Sequence, residues 1–374
     1  MEITNCPRCL LHTGIPGVTF KPKAQHRLVP GQCSACDLHD RLVAEYPIPD
    51  GWESCVARIK KAGVGRNYDC LIGISGGFDS SYLVIAAMMF KLRALLFHFD
   101  NGWNTDTAES NMEKLVKYSG YRLIRQGCDR EELRQANLAL LRAGVSSADI
   151  PNDLIMTRLI SDIALDERVP YVLNGHNFRT EGSCPRGWTQ FDAKYLCSVM
   201  GRKPNLPLPY LGYQFRSAFR VKTVRPHYWL NPNKAYMENY LHQLYGYDNY
   251  GGQHCENLYT KFVGGHLLPR KFHIDKRILY FSAHLRSLGI PTAQQRKTEE
   301  HRLKTIPAFS RREFDLIASG LKIPPSELQE VMETPPSGAT FPSYATTLRR
   351  LRPLIFLGYL AHLFPYTFYA KYCK

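Results

Sequence analysis

Acidic residues are the scarcest large class in this chain of 374 residues: 33 Asp and Glu stand against 48 Lys and Arg, a formal net charge of +15. Such an excess suits a polyanionic partner, and nucleic acid, a nucleotide-sugar, an anionic membrane surface and an acidic protein all qualify. The amino terminus lacks a basic segment followed by an apolar run, so no signal peptide is expected. With 11 cysteines and no export signal, the expected compartment is a reducing cytoplasm rather than one that supports a disulfide framework. Internal repeats and low-complexity tracts are missing as well. Long uncharged stretches are scarce. Residues 353–370 lack Lys, Arg, Asp and Glu, but two prolines, Gly358 and His362 argue against a spanning helix. Arg349, Arg350 and Arg352 precede that stretch, so it is expected either to pack on the protein's own core or to make weak contact with a membrane surface.

What is present centres on residues 68–82, YDCLIGISGGFDSSY. The apolar run Cys70 to Ile74 has the composition of a buried parallel strand, and residues 82–90 read as a helix. Between them lies Ser75-Gly76-Gly77-Phe78-Asp79-Ser80-Ser81. Two glycines let successive N–H groups converge on an anion where the helix dipole also favours negative charge. Hydroxyls of Ser75, Ser80 and Ser81 can add hydrogen bonds, and Asp79 can hold Mg2+ against phosphates. A Walker A loop ends in Gly-Lys-Ser/Thr, and here the lysine is missing. The pattern resembles instead the pyrophosphate (PP) loop of the ATP pyrophosphatase superfamily, which implies ATP cleavage between the α and β phosphates and adenylylation of a substrate oxygen.

Residues 1–45 form a different kind of unit. Cys6-Pro-Arg-Cys9 and Cys33-Ser-Ala-Cys36 are separated by 23 residues too polar to build a core. Four thiolates so spaced predict a structural Zn2+ ribbon with a closed shell, two disulfides being the alternative. His12, His26 and His39 read as surface or packing residues, and Cys128, Cys184, Cys197 and Cys255 as packing thiols without metal spacing.

Across 46–225 strands and helices alternate. A short helix at 53–63 leads into the phosphate-loop strand. Strands are expected at 93–99, near 122–124 and at 171–173, and helices at 107–119, 130–142 and 153–167. The fold class predicted is α/β, a doubly wound parallel sheet with the ligand over the strand carboxyl ends, where loops 75–81, 100–103 and 174–182 fall. Beyond about residue 185 the sequence becomes aromatic- and proline-rich, and a mostly helical region is expected over 226–374. Candidate helices there are 231–245, 275–288, 310–319 and 326–332.

The ordered set of motifs resembles the N-acetyl sugar amidotransferases, which convert an acetamido group on a bacterial surface sugar into an acetamidino group. The likeness is carried by CPRC and CSAC, IGISGGFDSSYL at 72–83, FHFDNGWNTDTAESN at 97–111, ADIPND at 148–153, NGHNFRTEG at 174–182, YGGQHCENLYTKF at 250–262 and LPRKFHIDKR at 268–277. Asn152 stands where the family pattern has Thr, and the carboxy-terminal tail carries none of its features. The resemblance implies ATP and Mg2+ bound by Ser75, Gly76, Gly77, Asp79, Ser80 and Ser81, with His98, Phe99, Asp100 and Gly175 along the nucleotide. His176, Asn177 and Glu181 are the implied catalytic partners of Asp79 and Ser80. Asp153, Tyr250, Gly251, Gly252, His254, Glu256, Lys271, Lys276 and Arg277 are the implied substrate contacts. A nucleotide-sugar is then the expected polyanion, and no nucleic acid is expected. The rival within the superfamily is a tRNA-modifying thiolase or lysidine-type ligase, although a thiolase would carry further paired cysteines near the site.

A glutaminase is also missing. Glu2 follows Met1, and Cys6 belongs to the ribbon. The chain has no room for an added domain of roughly 200 residues once its other parts are counted. The resemblance therefore implies a separate glutaminase subunit that supplies ammonia.

Overall fold

The computed structural model describes residues 3–20, 28–47, 50–182, 184–185, 187–231, 234–252, 255–306 and 308–360. Strands β1 (Cys70–Gly73), β2 (Ala94–Phe99), β3 (Leu123–Gln126), β4 (Tyr171–Leu173) and β5 (Lys222–Val224) form one sheet in the order β3-β2-β1-β4-β5. Every neighbouring pair is parallel. Side chains alternate between two apolar layers: Leu71, Leu95, Phe97 and Val172 face one, and Cys70, Ile72, Leu96 and Leu173 face the other. Burial on both faces is what makes these strands continuous apolar runs.

The chain builds β1, β2 and β3 toward one edge, then crosses back to lay β4 and β5 on the other side of β1. Loops leaving β1 and β4 therefore diverge, and a crevice opens at their carboxyl ends. Helices Asp106–Ser119 and Arg130–Arg142 start where their caps dictate. The Thr105 hydroxyl accepts from the Ala108 N–H, and the Asp129 carboxylate accepts from the N–H groups of Glu131 and Glu132. Helix Phe78–Met89 begins four residues before the expected onset at 82, so Asp79, Ser80 and Ser81 lie in its first turn.

The second half is helical, as its sequence predicts, with helices such as Lys234–Tyr245, Arg277–Ser287, Arg311–Gly320 and Pro325–Glu333. Helix Ala293–Lys304 and strand β5 escaped the pattern. β5 is three residues long with Lys222 and Thr223 exposed, so as an edge strand it lacks the apolar run that marks its neighbours.

The amino-terminal ribbon is not a separate body. Cys6, Cys9, Leu10, Leu11, Ile15, Cys33 and Cys36 belong to the same apolar cluster as the main domain. Arg8, 2% exposed, donates from Nε to the Gly289 carbonyl (2.8 Å) and from Nη2 to the Arg286 carbonyl (3.0 Å). Arg296 donates to the Cys6 carbonyl (2.7 Å). The expected polar, self-contained unit is thus docked on the helix pair 277–287 and 293–304.

Helix Arg352–Leu360 buries Ile355 but leaves Leu354 and Leu357 about three-fifths exposed. Residues 361–374 lie outside the described residues. Among those described, no helix is long and apolar enough to cross a membrane.

Candidate active site

Sequence chemistry shapes the phosphate loop residue by residue. Gly76 takes φ +74°, and a Cβ there would stand 2.2 Å from the Ala108 carbonyl oxygen, so both conformation and space require glycine. The Ser80 hydroxyl donates to the Gly77 carbonyl (3.0 Å) and accepts from the Ser75 N–H (3.3 Å), and the Ser75 hydroxyl accepts from the Gly77 N–H (3.3 Å). These bonds fold residues 75–80 over the start of a helix twelve residues long. The N–H groups of Asp79 and Ser80 take no acceptor among the described residues, which leaves donors at the positive end of the helix dipole.

Residues distant in sequence close around this loop. The Tyr250 hydroxyl accepts from the Phe78 N–H (3.2 Å), and Glu256 Oε1 lies 3.4 Å from the Ser75 hydroxyl, which donates to it. The Glu256 carbonyl in turn accepts from the N–H (3.0 Å) and hydroxyl (3.3 Å) of Thr105, so the segment is pinned to the loop after β2. Glu256 Oε2 is buried with no partner among the described residues. From β4, Gly175 lies alongside Asp79, where a Cβ would make ordinary van der Waals contact at 3.5 to 3.6 Å.

Glu181 follows on the same loop, its N–H donated to the Asn177 carbonyl (2.9 Å). Burial pushes its carboxyl up to about 8, and the charges of Asp79 and Glu256 push the same way. His176 Nε2 lies 3.3 Å from the Gly182 carbonyl and 3.7 Å from the Glu181 carboxylate, while Nδ1 lies 3.3 Å from the Tyr228 hydroxyl. Asn177, 1% exposed, accepts the Arg179 N–H at Oδ1 (3.0 Å), and its Nδ2 is buried without a partner among the described residues.

Sequence reasoning missed several neighbours of this cluster. Lys234 holds its ammonium 5.6 Å from the Phe78 ring centroid, and its charge acts on Glu181. Tyr280, held strongly un-ionised by burial, also feels the charges of Glu181 and Glu256. His227, fully buried, lies with Nε2 2.9 Å from the Asp79 carbonyl and stacks on Tyr82. None of the three sits in a motif; a lysine opening a helix and a tyrosine inside one carry no sequence signal of their own.

Other expected contacts fall elsewhere. Ser81 points into the core at 0% exposure, beside Tyr245, because the early helix start turns it away from the loop's open side. His98, 3% exposed, spends both nitrogens internally: Nδ1 meets the Ile74 carbonyl (2.8 Å) and Nε2 the Asn104 amide (2.7 Å). Burial lowers its pKa, so it is a neutral brace at the end of β2. Phe99 is buried in the core, and Asp100 pairs with Arg130 (3.0 Å). Lys271 is buried and donates to the Val331 carbonyl. Arg277 is gripped by Asp275 and closes the carbonyls of Leu303 and Thr305, ending helix Ala293–Lys304. Both cations are engaged by groups of the protein itself.

Lys276 is half-buried at the amino-terminal cap of helix Arg277–Ser287, and Asp153 is exposed in the first turn of helix Ile150–Asp166. Asn152 accepts from the Asn101 amide (3.0 Å), and Asn101 in turn accepts from Asn257 (3.0 Å). Gly251 and Gly252 take φ +92° and +156°, turning the chain from Tyr250 toward Glu256. His254 lies outside the described residues.

The four ribbon cysteines converge elsewhere. Their Sγ atoms are 3.6 to 3.8 Å apart across four of the pairs, and all four residues are buried. Those separations are far beyond a disulfide bond of about 2.05 Å. Among the described residues this is the one group of three or more His, Cys, Asp or Glu close enough to share an ion. Asp79, Glu181 and Glu256 do not converge in that way, so a Mg2+ at Asp79 would complete its shell with phosphate oxygens and water.

Residues 256–352 match the family model described as "LPS biosynthesis protein WbpG-like, C-terminal domain". That match supports the resemblance to the N-acetyl sugar amidotransferases. No curated protein matches the chain. Among solved structures, the U34-tRNA thiolase NcsA from Methanococcus maripaludis with its 4Fe-4S cluster is similar at 13% identity over 83% of this chain and 92% of that one. Its TM-score of 0.29 is too low to carry an argument about this chain.

Proposed function

We propose that this protein is an ATP-dependent amidotransferase that converts an acetamido group of a nucleotide-activated bacterial surface sugar into an acetamidino group, with release of AMP and pyrophosphate. One observation carries the reading. The first residue of the WbpG-like segment, Glu256, reaches the phosphate loop itself through Ser75 and is tied to the neighbouring loop after β2 through Thr105. The segment that resembles a polysaccharide-biosynthesis family and the loop that resembles an ATP pyrophosphatase thereby share one site.

An amide carbonyl is a poor electrophile, and its oxygen is a poor leaving group. In the proposed reaction that oxygen attacks the α-phosphorus, pyrophosphate leaves, and loss of the amide N–H proton gives an adenylylated imidate. Ammonia adds to the carbon, AMP departs, and the amidine remains. The open N–H groups at Asp79 and Ser80, together with Lys234, would offset charge on the departing pyrophosphate, and bound Mg2+ would neutralise more of it. Glu181, uncharged near neutral pH, sits where it could exchange a proton with the substrate, and His176 and Tyr280 border it. Tyr250 and Glu256 would hold the sugar against the loop.

The ribbon would hold structural Zn2+. A tetrahedral Zn–S bond of about 2.3 Å places sulfurs about 3.8 Å apart, which agrees with the 3.6 to 3.8 Å observed. Four thiolates close the shell, so no reaction step passes through that ion. Ammonia would come from a separate glutaminase subunit in the cytoplasm.

The test is the fate of labelled ATP with an acetamido nucleotide-sugar and ammonium. AMP and pyrophosphate that depend on the sugar, and vanish in Asp79→Ala, support the proposal. ADP and phosphate, or turnover stimulated by tRNA and not by sugar, would refute it.

A further inference from the structure

Strands β4 and β5 lie side by side with Leu173 opposite Val224, and the Asn174 N–H donates to the Val224 carbonyl (2.8 Å). That register carries two chain segments off the sheet together: Asn174-Gly175-His176 from β4, and Arg225-Pro226-His227-Tyr228 from β5. The second of these closes into one turn of helix, His227–Leu230, with the N–H groups of Trp229 and Leu230 both donated to the Pro226 carbonyl (3.0 Å). Arg179 donates to the Tyr228 carbonyl, and the Tyr228 ring packs edge-on against Tyr46 (5.0 Å) and Phe178 (4.8 Å), so the turn is firmly backed. His227 is 0% exposed and Tyr228 5%.

These two buried side chains reach different sides of the candidate site. His227 Nε2 lies 2.9 Å from the Asp79 carbonyl, which can only accept, so the ring proton sits on Nε2 and donates. Burial lowers the pKa of this ring and keeps it neutral, and its Nδ1 is buried without a partner among the described residues. An apolar side chain of similar shape would avoid that unsatisfied acceptor, so packing alone does not account for a histidine here. With Gly175 alongside Asp79, the Asp79 peptide is braced from β4 and β5 at once. The Tyr228 hydroxyl lies 3.3 Å from His176 Nδ1. His176 Nε2 faces the Gly182 carbonyl and the Glu181 carboxylate, both acceptors, so in the neutral ring Nδ1 accepts from Tyr228. We propose that His227 and Tyr228 are a pair of positioning residues: His227 fixes Asp79 in the phosphate loop, Tyr228 fixes the His176 ring, and one turn after the edge strand thereby sets the spacing across the cleft. The inference rests on the ATP-dependent reading above. Neither side chain touches substrate, and each acts through the group it holds.

The test uses the purified full-length chain with ATP, Mg2+, an acetamido nucleotide-sugar and ammonium, following AMP, together with calorimetric titration by Mg2+ and α,β-methylene ATP. His227→Leu should raise the Mg2+ concentration for half-maximal rate, and weaken nucleotide binding, about 10- to 100-fold, the usual cost of losing a group that orients a metal ligand. His227→Gln, whose amide nitrogen can take the place of imidazole Nε2 and donate, should recover most of that loss. His227→Asn, one carbon shorter, should not. Tyr228→Phe should lower kcat by up to about 100-fold, as a misplaced catalytic group does, while the Mg2+ requirement and the KM for ATP stay near wild type. Should His227→Leu prove insoluble, the contrast of His227→Gln with His227→Asn carries the test. Wild-type Mg2+ dependence in His227→Leu, equal behaviour of His227→Gln and His227→Asn, or wild-type kcat in Tyr228→Phe would overturn the proposal. A wild-type chain that binds nucleotide but forms no sugar-dependent AMP would instead overturn the functional reading, and calorimetry on the His227 variants would still decide whether that side chain braces Asp79.

Discussion

Replacing Glu181 with Gln should remove a pH dependence of stability that the buried carboxyl imposes. Its pKa is raised from the ordinary 4.5 to about 8, first by burial and then by Asp79 and Glu256. Between those two values the folded state holds a proton that the unfolded chain has released. A raised folded pKa contributes stability that is fully present below the unfolded value and is lost as pH rises through the folded one. The slope is about 1.4 kcal/mol per pH unit for one proton, so the 3.5 units between 4.5 and 8 integrate to on the order of 5 kcal/mol. An amide of the same shape stays neutral throughout. Urea unfolding at pH 5, 6, 7 and 8 should therefore show wild type and Glu181→Gln converging at low pH, with the variant gaining steadily above it. Parallel curves would show that Glu181 titrates normally, and would remove it as a proton carrier at neutral pH.

Gly76→Ala should destabilise the fold by about 2 to 4 kcal/mol, combining left-handed strain with a backbone clash, and should abolish ATP binding by calorimetry; wild-type binding would show that the loop tolerates a Cβ. Cys36→Ser should lose about one metal per chain and much soluble yield, whereas stoichiometric zinc by elemental analysis would contradict the four-thiolate site. The purified chain should use ammonium but not glutamine, and comparable rates with glutamine in a preparation free of other proteins would make the glutaminase partner unnecessary. Deleting residues 353–374 should reduce flotation with anionic vesicles, since exposed Leu354 and Leu357 follow three arginines; equal recovery in the soluble fraction would end that idea.

The sequence made the sheet legible where both faces are buried. Runs such as Cys70 to Gly73 and Ala94 to Phe99 have no other economical explanation, and the helix expected at 130–142 matches Arg130–Arg142, which Asp129 caps. Edge strand β5 was invisible because its exposed Lys and Thr look like any loop. The cations were the least legible part of the site. Lys271 and Arg277 were expected as substrate contacts; in the structure one donates to the Val331 carbonyl and the other ends a helix whose existence the pattern did not reveal. Lys234 was hidden for the converse reason: its place beside Phe78 and its action on Glu181 come from partners far along the chain. At Gly76 the positive φ and the Ala108 carbonyl 2.2 Å from a would-be Cβ leave glycine as the residue that fits, which is why that motif position reads clearly in the sequence.

The most direct test of the central claim is the identity of the product. With ATP, Mg2+, an acetamido nucleotide-sugar and isotopically labelled ammonium, mass spectrometry should find a sugar in which one amide oxygen is replaced by a labelled NH group, formed in step with AMP. AMP formation with no labelled nitrogen in the sugar, or incorporation without AMP, would contradict the account.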